Sequence, residues 1–291
     1  MKAAFISDVH IGPTGYHKGV RRKLTEHSEE YVVNFVRRVS STSEYSFAIH
    51  LGDLIQDDVR ETDIANYQKG VELFSHCRIP FHHIVGNHDT IHMSAKEVAG
   101  HLGYDSLYYS FDAEDIHVVL MHSLVTTPKI PGITVPQQQL TWLRSDLSET
   151  SLPTIIFIHH SLADQTLIGN PWFENKPKDC LVENRNEVRQ IIAGSNKVIA
   201  IINGHLHWNQ ITMHDNIPYI TVQSATENFA NDGVPANSWG EVEVKDGKFK
   251  LRVFGNDEFE FEYVFDTLDN QAILPSADRA GKFLTFSRNR K

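Results

Sequence analysis

The chain predicts an α/β fold, read as a four-layer αββα sandwich of two mixed β-sheets flanked by helices. Three observations carry that expectation. Strand-length apolar runs alternate with helix-periodic stretches from the N-terminus to His205. From Gln210 the texture changes to hairpins. Short stretches rich in Asp, Asn and His recur at the ends of the strand-like runs, where side chains of parallel strands converge on one sheet edge.

Taken in order, AAFIS (3–7) reads as a buried first strand. Val32, Phe35, Val36 and Val39 recur at helical spacing, with Arg37 and Arg38 outside. FAIHL (47–51) is the second strand, and Val71 and Phe74 mark a helix ending before Pro80. FHHIV (81–85) is the third strand. Ser94 and Glu97 form a capping box that opens a short helix ending near Gly103. Tyr108–Phe111 and HVVLM (117–121) read as an antiparallel pair. Gln137–Leu147 is helical, with Leu140, Leu143 and Leu147 on one face and Trp142 beside them. TIIFIHH (154–160) and VIAIINGH (198–205) are strands separated by a helix over 183–193. ITMHDNIPYITV and EVEVKDGKFKLRV read as hairpins, the second turning at Asp246-Gly247. No repeat or low-complexity linker interrupts the pattern. One domain over 1–267 is expected, followed by a locally basic C-terminal extension, 268–291. The irregular segment 162–182, with Trp172 and Phe173, is a candidate lid or pocket loop, because a long loop inside a compact domain is usually functional.

The 291 residues suffice for a substantial core. A net charge of −10, from 27 basic and 37 acidic residues, disfavours a nucleic-acid partner, which would need a cationic field. Cys77 and Cys180 make no disulfide framework and are expected as free thiols. Met1-Lys2 leads straight into the first strand, leaving no room for a signal peptide. No apolar run approaches the ~20 residues of a membrane helix. A cytoplasmic protein without membrane insertion is expected, with homo-oligomerisation left open.

The motifs are ISDVH (6–10), LGDLI (51–55), VGNHD (85–89), FIHHS (157–161) and NGHLH (203–207). They bring together Asp8, His10, Asp53, Asn87, His159, His205 and His207, enough oxygen and imidazole ligands for two metal ions. Asp8 and His10 are two residues apart and share a face on a strand, and just past its end both can turn to one ion. The mixed N/O set, without thiolates, suits Mn, Fe, Zn or Co better than a Mg or Ca cage.

These blocks resemble the signature of the calcineurin-like metallophosphoesterase superfamily: D-x-H, G-D, G-N-H-D/E, H and G-H-x-H. Here they are Asp8-Val9-His10, Gly52-Asp53, Gly86-Asn87-His88-Asp89, His159 and Gly204-His205-Leu206-His207, in family order. The resemblance implies the αββα fold and hydrolysis of a phosphoester by a metal-bridging hydroxide. It implies that Asp8, His10 and His207 hold one ion, that Asn87, His159 and His205 hold the other, and that Asp53 bridges. It also implies that His88 faces the substrate and gives a proton or hydrogen bond to the leaving oxygen, a task that suits imidazoles because they titrate near neutral pH. Some branches support this histidine with an Asp three residues after the bridging Asp. Gln56 stands there, followed by Asp57 and Asp58, so the choice of Asp57, Asp89 or no partner stays open.

The start ISDVHIG and the compact size are closest in look to the class III cyclic-nucleotide and glycerophosphodiester phosphodiesterase branch. The Arg-bearing motifs of Ser/Thr protein phosphatases are absent. A small phosphodiester is the expected substrate, with nucleotide pyrophosphatase or phosphomonoesterase chemistry as the alternative. A non-catalytic scaffold accords less well with retention of every ligand and of His88. His50, His82, His83 and His117 read as packing or surface residues, and Trp208, after His207, as core or as a surface for stacking a substrate base. His122 belongs to no motif, and the family uses His159 rather than His160. Many relatives carry prolines after the His-His pair, and Ser161-Leu162 replaces them here.

Overall fold

A computed structural model describes residues 1–125, 132–228 and 233–265, together with the backbone of Thr285–Arg288. Two mixed sheets dominate. The first runs, edge to edge, through Thr285–Arg288, Phe259–Val264, Lys248–Phe254, Trp239–Lys245, Lys2–Ile6, Phe47–His50 and Phe81–His83. The second runs through Gln210–His214, Ile217–Thr221, Val198–Asn203, Thr154–Phe157, Ile116–Leu120 and Tyr109–Ala113. The strand that opens the chain pairs in parallel with Phe47–His50, and that one with Phe81–His83. Thr154–Phe157 lies parallel to both of its neighbours. Parallel strands need crossovers, and the helices supply them on the outer faces.

Side-chain alternation sorts the core into layers. Phe5, Phe47, Ile49, Leu120, Phe157 and Ile202 point between the sheets, joined by Phe249, Leu251 and Phe261 from the C-terminal hairpins. Ala4, Ile6 and Ala48 face outward, under Val32, Phe35, Val36 and Val39 of the helix Ser28–Ser40 and Phe74 of Arg60–Ser75. Val119, Ile156 and Ile201 face the other way, under Leu140, Leu143 and Leu147 of Gln137–Glu149 and Ile192 of Arg185–Ser195. Helix, sheet, sheet and helix thus form the four expected layers. The capping box is present: Glu97 N donates to Ser94 Oγ while the Glu97 carboxylate accepts from Ser94 N. Asp246 and Gly247 both have positive φ, 51° and 72°, as a two-residue type I′ turn requires.

Several boundaries differ from expectation. Thr154–Phe157 and Val198–Asn203 stop short of the expected ends at His160 and His205, because the following residues turn toward the site. The strand Phe259–Val264 was not read from the sequence, nor was the hairpin Gly15–His17 with Val20–Lys23. In the former, Phe259, Phe261 and Tyr263 alternate with Glu260 and Glu262, which pair with Lys250. The expected extension lies outside the described residues, except that the backbone of Thr285–Arg288 pairs antiparallel with Phe259–Glu262. Among the described residues no helix is long and apolar enough to cross a membrane.

His117 ties the second sheet to its covering helix: Nδ1 meets Asp112 at 2.6 Å and Nε2 meets Asp146 at 3.0 Å. Burial lowers its pKa, but hydrogen bonds to Asp146 and Asp112 outweigh that and leave it raised. The folded value therefore exceeds the unfolded one. Its stabilisation is complete below the ordinary histidine pKa of about 6.5 and disappears as pH rises through the raised value. The stability gap between the wild type and His117→Gln, from urea unfolding, should be widest in mild acid and shrink in base. A gap that widens with pH would contradict the ion-pair reading.

Candidate metal centre

Each motif begins where a strand ends. Asp8 and His10 follow Lys2–Ile6, Asp53 follows Phe47–His50, and Asn87 and His88 follow Phe81–His83. From the second sheet, His159 and His160 follow Thr154–Phe157, and His205 and His207 follow Val198–Asn203. The chain makes these turns through left-handed backbone: φ is 52° at Asp8, 51° at His10, 54° at Asp53, 66° at His205 and 58° at His207. Such conformations cost on the order of 1 kcal/mol or more per non-glycine residue and concentrate at functional sites. Backbone bonds hold the strain: Asp8 N donates to Gly52 O at 3.1 Å, and His10 N to Asp53 O at 3.1 Å. The motif glycines have a steric reason. A Cβ on Gly86 would overlap the Asp53 carboxylate, and one on Gly204 would overlap the Ser7 hydroxyl and the Asp8 carboxylate.

Two groups of side chains result. Asp8, His10, Asp53 and His207 bring one ligand atom each within 4.8 Å of one another, and His159, His160 and His205 do the same. His10 Nε2 lies 3.1 Å from His207 Nε2, which is 3.2 Å from Asp8 Oδ1. Asp53 Oδ2 stands between the groups, 4.0 Å from His10 Nε2 and 3.3 Å from His159 Nε2. Burial is close to complete for these residues. Asn87 is half-buried, yet its Oδ1 is sealed from solvent without a hydrogen-bond partner.

Outer partners decide which ring nitrogen faces inward. His159 Nδ1 meets Leu51 O at 2.8 Å, leaving Nε2 inward. His205 Nε2 meets Asp179 O at 3.0 Å, leaving Nδ1. His207 Nδ1 meets Glu227 Oε2 at 3.1 Å, leaving Nε2. Of the inward atoms, His159 Nε2 and His205 Nδ1 lack aligned partners, as does Asn87 Oδ1. A buried unsatisfied polar atom costs roughly 1–3 kcal/mol, so inward imidazole nitrogens of this kind fit a site built for cations.

Charge is distributed accordingly. Burial would raise Asp53, but His159, His88 and His10 hold it well below the usual carboxylate range. Burial likewise opposes the lowering of Asp8, which His207 brings about through a hydrogen bond and its charge. Desolvation pulls His205 down to about 3. It acts against His159 too, but there the Asp53 carboxylate prevails and the group rises to about 9.

The question left open for His88 is answered: its Nδ1 bonds Asp57 Oδ1. Asp89 is occupied elsewhere, accepting from the backbone N–H of Asp53 (3.1 Å), Gly86 (2.8 Å), Leu54 (2.9 Å) and Ile55 (3.2 Å). His160, set aside in favour of His159, joins the second group; its Nδ1 is 2.7 Å from Ser123 Oγ and its Nε2 is buried without a partner. His122 lies outside both groups. His50 and His83 pack beside Phe74, and His82 stacks on Phe111. Glu227 and Lys23 were not singled out in the sequence. The one signal for Glu227 is the largely polar stretch Gln223–Asn228 directly after an apolar strand, and the structure buries it.

The 162–182 segment touches the site at Trp172 and Phe173 as well as through the Asp179 carbonyl on His205. Trp172 Nε1 donates to Glu227 Oε2 at 2.6 Å, and the Phe173 ring lies 4.7 Å from that of His205.

A profile of the calcineurin-like phosphoesterase family matches residues 1–209. The chain belongs to this family. Its members are metal-dependent phosphoester hydrolases with a dinuclear centre, and the two groups supply the candidate ligands. The chain is 23% identical over 190 residues to a protein of Psychrobacter arcticus named a probable cyclic nucleotide phosphodiesterase, covering 60% of this chain and 62% of that one. It is 23% identical over 232 residues to a probable glycerophosphodiester phosphodiesterase of Arcobacter nitrofigilis, covering 78% and 79%. The fold matches the crystal structure of a dimetal phosphatase from Danio rerio with a TM-score of 0.71 at 17% identity, over 91% of this chain and 99% of that one.

Glu227→Gln keeps the shape but removes the charge that orients His207. Metal affinity, measured by titration calorimetry, should fall roughly 10–100-fold with the fold retained. An unchanged affinity would show that Glu227 does not support a ligand.

Proposed function

We propose that this chain is a dinuclear metal-dependent phosphodiesterase acting on a small phosphodiester of the cyclic-nucleotide or glycerophosphodiester type. The observation that carries this reading is the pair of ligand groups, with Asp53 of the first reaching His159 of the second at 3.3 Å. The names of the two relatives support the diester class. In this reading Asp8, His10 and His207 would hold one ion, Asn87, His159 and His205 would hold the other, and Asp53 would be shared by both. Two ions held there supply an activated water and neutralise charge on the phosphoryl oxygens.

The chain's own residues do the rest. Asp8 and Asp53 bring negative charge to the pair of ions, while Asn87 contributes a neutral oxygen and limits it. Leu51 O, Asp179 O and Glu227 hold the imidazoles in the tautomers that leave a lone pair inward. His88 sits beside the shared carboxylate, with Nε2 at 3.9 Å from Asp53 Oδ2 and its backbone N–H on Asp53 Oδ1 at 3.0 Å. Asp57 orients its ring so that Nε2 faces the leaving oxygen and gives it a proton or hydrogen bond. The 162–182 segment forms one wall of the pocket through Trp172. A panel of mono-, di- and cyclic phosphoesters and nucleoside diphosphate derivatives, assayed on metal-loaded protein, tests the reading. Preference for a small diester supports it, and a preference for monoesters or pyrophosphates replaces it.

Asp53→Ala should abolish the two-ion site and lower kcat/KM at least a thousandfold, on the order of 4 kcal/mol in the barrier. Two tightly held ions in that variant would remove Asp53 from the bridging role. His88→Ala should keep both ions and slow turnover by roughly 10²–10⁴-fold for poor leaving groups, less for nitrophenyl esters. An equal loss across leaving groups would take His88 out of proton donation.

A further inference from the structure

Lys23 ends the hairpin strand Val20–Lys23 with its ammonium inside the site, and the residue is only 4% exposed. Its stem runs past Gly15, where a Cβ would press on Cβ, Cγ and Cδ of the lysine at 3.0–3.1 Å. The backbone is fastened to the site: Lys23 and Glu227 form an antiparallel β-bridge, and Leu24 N donates to Thr226 O at 2.9 Å. Nζ donates to Gln56 Oε1 at 2.9 Å and to His88 Nε2 at 3.1 Å, and stands 5.2 Å from the centroid of the Trp172 ring.

This is an unusual place for a lysine. Among the described residues no carboxylate oxygen comes within the 4.0 Å of an ion pair. Burial lowers its pKa, while Asp53, Glu227, Asp8 and Asp57 oppose that through their fields alone. An ammonium carries three N–H donors, and two are used here. Buried charges are ordinarily paired, so a buried lysine with a spare donor beside two candidate cation sites calls for an anion from outside the chain. The His88 contact points the same way. With Nδ1 on Asp57, Nε2 accepts from Lys23. For His88 to face a leaving oxygen, Lys23 must release it and find another partner.

We propose that Lys23 is a substrate-binding residue whose ammonium takes a phosphoryl oxygen of the bound ester on the His88 side of the metal centre, with Trp172 covering it. The proposal rests on the hydrolase reading above. The rival is a lysine that merely offsets the carboxylates and anchors the hairpin.

The test uses the full chain loaded with Mn²⁺, comparing the wild type with Lys23→Met and Lys23→Arg. Metal content, binding of inorganic phosphate by calorimetry, and kcat and KM on nitrophenyl phosphoesters are measured on each. Lys23→Met should retain two ions per chain, bind phosphate at least tenfold more weakly and show a raised KM, and Lys23→Arg should recover part of both losses. Unchanged phosphate affinity and KM in metal-replete Lys23→Met overturns the proposal. So does a phosphate affinity that falls only in step with lost metal, which would make Lys23 structural. If Lys23→Met does not fold, Lys23→Gln takes its place under the same criteria. A wild type that holds two ions yet neither binds phosphate nor cleaves any ester defeats the hydrolase reading, and this proposal with it. An active wild type matched by an unaltered Lys23→Met defeats the proposal alone.

Discussion

One buried carboxylate joins the two halves of this molecule. Asp53 leaves the first sheet and reaches His159 of the second at 3.3 Å, while its other oxygen accepts the His88 amide at 3.0 Å. A charge so deeply buried is tolerated only with matched partners. The structure assembles those partners from both sheets, so the αββα sandwich and the site are two aspects of one constraint. Asp53 itself is held in left-handed backbone by Asp89, whose four accepted amides lock the loop after Phe47–His50 to the loop after Phe81–His83. Burial and the Asp53 charge raise Asp89, and those amides act against the rise.

The strain at Asp8, His10, Asp53, His205 and His207 accords with that view. A regular strand would point alternate residues to one face along its axis. The left-handed turns instead gather neighbours such as Asp8 and His10 around one point. The stabilisation that offsets this comes from the inter-sheet core, where Phe5, Phe47, Phe157, Phe249 and Phe261 are all buried. A rigid scaffold carrying a strained, polar rim is a common arrangement for positioning chemistry.

Much of this was legible in the sequence, for physical reasons. Period-two and period-3.6 patterns report burial directly, so Phe47–His50, the helix Ser28–Ser40 and the hairpin around Asp246-Gly247 could be read. The candidate ligands could be read because short motifs confine them to strand ends. The supporting residues could not. Glu227 and Lys23 come from segments with no motif and reach the site only through tertiary folding. Asp57, the partner of His88, was one of several open choices until the loop geometry singled it out. The 162–182 segment was noticed for its irregularity, but its bond from Trp172 to Glu227 and the Asp179 carbonyl on His205 depend on how the loop folds back. That loop therefore supports the candidate ligands.

The central claim is that the two side-chain groups form one binuclear centre around Asp53. A crystal structure of protein loaded with Mn²⁺ or Zn²⁺, with the ions located by anomalous scattering, tests it most directly. The account predicts two ions per chain, about 3.5–4 Å apart, one on Asp8, His10 and His207, the other on Asn87, His159 and His205, and both touching the Asp53 carboxylate. A single ion, or two ions with Asp53 bound to neither or to only one, would contradict it.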